Sequence, residues 1–147
     1  MKIFKTVFLS LFLLITTSVV YGQHSFIQKH EGMAKELSNE YGIPSEIILS
    51  IAFVETGGGT SKSSVTSKNH FGITGKSKNG SKYRSFDSVK DSYVAFCKLI
   101  SNKKYYQNLK GNSNVKDWIN AIADSGYSTN PTEWKKRINF VISKYLP

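Results

Sequence analysis

The chain has 147 residues, of which 20 are Lys or Arg and 10 are Asp or Glu, for a formal net charge of +10. That length allows one domain with one core, and a single cysteine excludes an internal disulfide. The lysines are scattered along the sequence, so the positive balance suits solubility, or a partner carrying carboxylates or phosphates, and argues against nucleic acid, which needs a localised basic stripe.

Residues 1–22 read as a secretory signal peptide. Lys2 and Lys5 form the charged start, residues 7–20 are a mostly apolar run, and Val20-Tyr21-Gly22 offers small residues where a signal peptidase reads. The run is shorter than the roughly 20 residues that span a bilayer as a helix, so a retained anchor is the lesser alternative and no stable membrane insertion is expected after removal. No cysteine sits near the cleavage point, which leaves no lipoprotein signal. The domain is then 23–147, exported to the periplasm, cell wall or exterior, with a net charge of about +8 once Lys2 and Lys5 are gone.

Residues 23–25 read as a loose new terminus. Ile27, His30, Met33, Ala34 and Leu37 recur at helical spacing and predict a helix over 26–41, which Gly42 ends. Pro44 suits the first turn of the next helix, running to Glu55, and the two should pack as an antiparallel or steeply crossed pair. In that second helix Ile48, Ile51, Ala52 and Glu55 fall at i, i+3, i+4 and i+7. The acid therefore belongs on the apolar stripe, where desolvation raises its pKa. Three glycines follow, which stop the helix and bring bare backbone close to the acid, leaving room for a bulky ligand. The spacing points to a cleft.

Residues 57–82 are rich in Gly, Ser, Lys and Asn, with Val65, Phe71 and Ile73 as apolar anchors and a short strand or hairpin expected around 71–83. A loop of that length directly after an acid favours function. Helical order returns over 85–102, with Ser88 and Asp91 spaced as a capping box and Val89, Tyr93, Phe96 and Ile100 as the core stripe. Cys97 lies in this run and reads as a buried structural thiol. A helix over 115–124 follows, capped by Asn114, with Trp118, Ile119 and Ile122 inward. Pro131 opens the last helix, to about residue 145, with Trp134, Ile138, Val141 and Ile142 as its apolar face. Both tryptophans are assigned to packing. The sum is an α+β chain, mainly α, of about five helices and a small β element.

Glu-Thr-Gly-Gly-Gly-Thr-Ser from Glu55 and Asn-His-Phe-Gly-Ile from Asn69 resemble the signature of the glucosaminidase domains of glycoside hydrolase family 73, the flagellar-type peptidoglycan hydrolases among them. Two later motifs keep the family's order: Tyr-Arg-Ser-Phe-Asp-Ser-Val-Lys-Asp-Ser-Tyr from Tyr83, and Gly-Tyr-Ser-Thr-Asn-Pro from Gly126. The resemblance covers roughly residues 41–147. It implies a lysozyme-like fold, here with a shortened β lobe, and a monomeric endo-β-N-acetylglucosaminidase that cuts the glycan strands of peptidoglycan after N-acetylglucosamine, without metal or cofactor. Three histidines without ligand spacing agree with the absence of a metal site.

Carried over residue by residue, the resemblance makes Glu55 the general acid and sets Tyr127 across the cleft, orienting the substrate's acetamido group or stabilising charge. Asn69, Phe71, Gly72 and Thr129 are the implied substrate-binding residues. Core positions for Phe71 and Tyr127 are the plainer alternative. The pattern departs from the family in one respect: residues 73–85 contain no Asp or Glu where family members often carry a second acid. Asp87 and Asp91 come next but stand at a helix start, where capping is the simpler job. Either the substrate's 2-acetamido group attacks the anomeric carbon, or the domain is slow or specialised. The rival readings are a muramidase or lytic transglycosylase, a peptidoglycan-binding module without activity, and an antibacterial lysin with the same chemistry. A Gly-Leu-Met-Gln-like segment after the glutamate would mark the first of these, and Asn-His-Phe-Gly-Ile stands there instead.

Overall fold

The computed structural model describes residues 2–147, with side chains described from Gly22 onward. The expected signal peptide at 1–22 falls on residues whose side chains lie outside that description. Seven helices follow in order: α1 (Lys2–Tyr41), α2 (Ser45–Glu55), α3 (Lys62–Ser67), α4 (Val89–Ser101), α5 (Tyr106–Leu109), α6 (Val115–Asp124) and α7 (Pro131–Tyr145).

The architecture is built around α2. Every residue from Ile47 to Val54 is buried, and α2 packs against α1, α6 and α7. A helix covered on all sides carries no amphipathic stripe, so the expected placement of Glu55 on an apolar face is corrected: it is the first exposed residue at the C-terminal end. Leu37 and Ala34 of α1, Phe96 and Ile100 of α4, Trp118 and Ile122 of α6, and Ile138 of α7 complete the core. Cys97 is fully buried there, and burial pushes its thiol up to about 12, so it stays an inert apolar group.

The chain 23–25 is not loose. It continues α1 as helix, with Gln23 accepting a hydrogen bond from the Tyr145 hydroxyl and His24 meeting the Tyr145 ring edge at 5.6 Å. These contacts with α7 override the weak helix propensity of Gly22-Gln23-His24-Ser25.

The small β lobe expected from the sequence is not formed either. An isolated antiparallel bridge between Thr74 and Tyr83 is the one strand-like pairing among the described residues. Between those two positions the chain is polar and mostly exposed, offering no apolar alternation to bury. Its serine and asparagine side chains close turns instead: Ser77 Oγ accepts from the amides of Asn79 and Ser81.

The helix count is seven rather than about five because α3 and α5 form inside stretches read as loop. For α3 the reason is local. Ser61 Oγ caps the Ser64 amide, Ser64 Oγ and Ser67 Oγ donate back to the carbonyls of Ser61 and Ser63, and Lys68 ends the turn at φ +52°. Val65, expected as an anchor, is 61% exposed on this short helix.

Elsewhere the local signals and the structure agree. Ser88 Oγ accepts from the Asp91 amide at 3.1 Å while Asp91 Oδ2 accepts from the Ser88 amide at 3.0 Å, a complete capping box at the start of α4. Asn114 caps α6, and Asn130 caps α7 with Pro131 in its first turn.

Candidate active site

Glu55 stands where α2 stops, and Thr56 stops it. The Thr56 hydroxyl is fully buried; it donates to the Ala52 carbonyl at 2.8 Å and accepts from the Gly59 amide at 2.9 Å. The following turn has room for glycine alone. Gly58 and Gly59 lie at φ +71° and +86°, and a Cβ on Gly59 would sit 2.7 Å from the Phe26 ring. The space gained by these glycines is thus filled by Phe26 and Phe53, not left for a ligand.

The glycine that opens the site is Gly72. It faces Glu55 across a hollow of about 250 Å³ lined also by Ser61, Ser64, Asn69 and Tyr83. At φ +62°, a Cβ on Gly72 would come within 3.8 Å of Glu55 Oε2 and 3.9 Å of the Tyr83 ring. Glu55 is the one carboxylate in this lining, and its side chain is open to the hollow.

Three groups set its charge. Desolvation by the surrounding protein is the largest influence and raises its pKa; the Trp134 indole N–H, which donates to Oε1 at 3.3 Å, and the Arg137 guanidinium each pull it part-way back. An acid open to substrate yet crowded enough to favour its proton is the type needed to protonate a leaving oxygen near neutral pH.

Asn69 builds the facing wall. Its Nδ2 donates to the carbonyls of Ile73 (2.8 Å) and Arg84 (2.9 Å), while its Oδ1 accepts from the amides of Phe71 (3.3 Å) and Ile73 (3.1 Å). One buried side chain therefore holds the loop that carries Gly72 against the segment that carries Tyr83. Phe71 lies behind that loop in the core, stacked on Phe96 with centroids 4.2 Å apart. Tyr127 is half-buried beside it. Its hydroxyl meets the Phe71 carbonyl at 3.5 Å and its ring lies 5.5 Å from Trp134. Burial first, and then the charge of Glu55, hold the phenol well above its usual pKa, so it keeps its proton.

The structure thus brings Glu55, Asn69 and Gly72 to one hollow and joins Tyr127 to it through Trp134 and Phe71. Thr129 is exposed on the loop before α7 and makes none of the hydrogen bonds that hold the hollow. Two residues were not singled out as site residues from sequence. Tyr83 opens the second motif, and that was its signal. Trp134 sits on an apolar helical stripe like any core residue, and only its indole N–H distinguishes it. Neither acid beyond the loop is spare: Asp87 pairs with Lys78 Nζ at 2.7 Å, which holds its pKa low, and Asp91 is the capping residue of α4. Among the described residues no group of three or more His, Cys, Asp or Glu is placed to hold a metal.

The glucosaminidase family, described as mannosyl-glycoprotein endo-beta-N-acetylglucosaminidase, matches residues 31–146. The chain belongs to that family. Exo-glucosaminidase LytG of Bacillus subtilis (strain 168) is 26% identical over 152 residues, a match that takes in 88% of this chain and 54% of LytG. The chain thus spans about half the length of that relative. The catalytic domain of the autolysin Auto from Listeria monocytogenes superposes with a TM-score of 0.72 at 21% identity, covering 85% of each chain. The glycoside hydrolase domain of FlgJ from Salmonella typhimurium superposes at 0.67 with 19% identity, over 83% of this chain and 87% of that one. At these identities the two structures speak for the shared fold.

Proposed function

We propose that this member of the glucosaminidase family is an exported enzyme that cuts the glycan strand of peptidoglycan after N-acetylglucosamine, with Glu55 as the general acid. The observation that carries this reading is Glu55 itself: a carboxyl group open to a cleft, its pKa raised by desolvation, and oriented by an indole N–H. In the reaction, protonated Glu55 gives its proton to the glycosidic oxygen as the C1–O bond breaks. With no second carboxylate in the lining, the substrate's own 2-acetamido oxygen attacks C1 from the opposite face, and water then opens the resulting oxazolinium ring. Tyr127, kept protonated, orients the acetamido group or stabilises the charge that develops on it. Asn69 acts by fixing the Gly72 loop. The net charge of about +8 left once residues 1–22 are removed suits an anionic wall.

The test is a digest of purified peptidoglycan, followed by borohydride reduction and mass spectrometry. Fragments ending in reduced N-acetylglucosamine are expected. Fragments ending in reduced or anhydro muramic acid would make the protein a muramidase or transglycosylase instead.

A further inference from the structure

On the other side of the α2 terminus lies a second and larger hollow, of about 460 Å³, between α2 and α7. Its walls are Phe53, Val54 and Gly57 on one side and Lys136, Arg137 and Phe140 on the other. Val54 and Gly57 stand on either side of Glu55 in the chain, so this hollow lies beside the end of α2 that carries the acid. Arg137 ties α7 to that end: its Nη2 donates to the Val54 carbonyl at 3.5 Å, and it is close enough to Glu55 to lower the pKa of that acid.

The two hollows differ in chemistry. The Gly72 side is lined by serines, an amide and a tyrosine, which suit the hydroxyls of a neutral sugar. The lining on the α7 side carries two cations, Lys136 and Arg137, and no carboxylate, with Lys136 Nζ paired at 2.7 Å to the exposed Glu133 just outside it. It also carries Phe140, one of two large apolar side chains that are strongly exposed among the described residues, at 55%, with Lys144 Nζ 5.2 Å from its ring centre. Phe140 alone would suit a sugar face, but Lys136 and Arg137 in the lining and Lys144 over the ring add positive charge that a neutral sugar does not call for. The complement of this lining is a ligand with several carboxylates spaced by small apolar groups.

We propose that this hollow binds the peptide stem of the strand being cut, its carboxylates against Lys136, Arg137 and Lys144 and its alanine methyl groups on Phe140. The assignment rests on the peptidoglycan reading above and adds to it which side of Glu55 receives the stem-bearing sugar. Arg137 and Lys136 then act in recognition by charge, and Phe140 by contact. Each such contact is partly exposed and weak, so the effect comes from their sum.

The experiment compares kcat/KM on glycan strands that keep their stems with the same strands stripped by an amidase, for the wild type and for Lys136→Gln/Phe140→Ser. Both replaced side chains are exposed and outside the catalytic hollow. The wild type is expected to favour stem-bearing strands by about tenfold, through KM, and the double variant to lose that preference while cutting stripped strands as before. Equal rates of the wild type on both strands, or an equal loss by the variant on both, would overturn the proposal. Calorimetric binding of soluble stem-bearing muropeptide to Glu55→Gln, with and without the two α7 substitutions, separates this from the activity itself. Binding that depends on the α7 residues, together with a wild type that cuts neither kind of strand, would keep the stem site and sink the hydrolase reading. Cutting without any dependence on the stem would do the reverse.

Discussion

At the scale of single residues, the proposed chemistry rests on how Glu55 is held. Trp134 is a positioning residue: its N–H stabilises the charged carboxylate, so removing it should raise the acid's pKa further. Trp134→Phe is therefore expected to move the alkaline limb of the kcat/KM profile upward, because Glu55 then keeps its proton to higher pH. The rate at the optimum should also fall a few-fold as the carboxyl loses its orientation. A pH–rate profile of the variant checks this, and an unmoved alkaline limb would mean that the indole only packs. Tyr127→Phe keeps the ring against Phe96 and Trp134 and removes the hydroxyl. Turnover on peptidoglycan should drop about tenfold, well short of the loss expected for Glu55→Gln.

At the scale of elements, Asn69 shows how much of the site is loop architecture. Asn69→Ala strips four hydrogen bonds from backbone groups of two segments, and the expected cost is about 3 kcal/mol of stability by urea denaturation. Ser88→Ala, which opens the α4 capping box, should cost about 1 kcal/mol and leave activity intact. That box, the Asn114 cap and the Asn130-Pro131 start were readable from sequence because their signals are local: a side chain and a backbone group two or three residues apart decide each one. The end of α2 at Glu55 was readable for the same reason. Helix α3 was missed although its cause is local, serine back-bonding in a run of poor helix propensity. The 71–83 stretch, read as a short strand or hairpin, pairs at one bridge. The other differences depend on long-range contact. The glycines after Glu55 were read as ligand space, whereas rings of Phe26 and Phe53, one of them from α1, already occupy it. Trp134 reaches Glu55 only because α7 packs on α2.

At the scale of the whole molecule, the stability of the fold should depend on acid through a buried aromatic cluster. His30 and His70 meet edge to face at 5.0 Å, packed by Phe26 and Tyr93, with the Tyr93 hydroxyl 3.4 Å from His70 Nδ1. Desolvation lowers both histidines to about 4; His30 and then Lys29 oppose the charge of His70 as well, and Lys29 that of His30. Between their ordinary value of 6.5 and about 4, the unfolded chain binds protons that the folded one refuses. Stability is therefore full above 6.5 and falls as pH drops towards 4, by roughly 2 kcal/mol per histidine at pH 5. Urea midpoints at pH 7 and pH 5 measure this, and His30→Leu should show about half of the wild-type loss; an equally steep loss would place the acid sensitivity elsewhere. All of this scaffolding serves one acid at the end of one buried helix. The most direct measurement is the release of reducing ends from peptidoglycan by the wild type and by Glu55→Gln, with circular dichroism and thermal melting run on both. The variant should fold and melt like the wild type and lose activity by about 100-fold or more. A folded Glu55→Gln protein with undiminished activity would contradict the account.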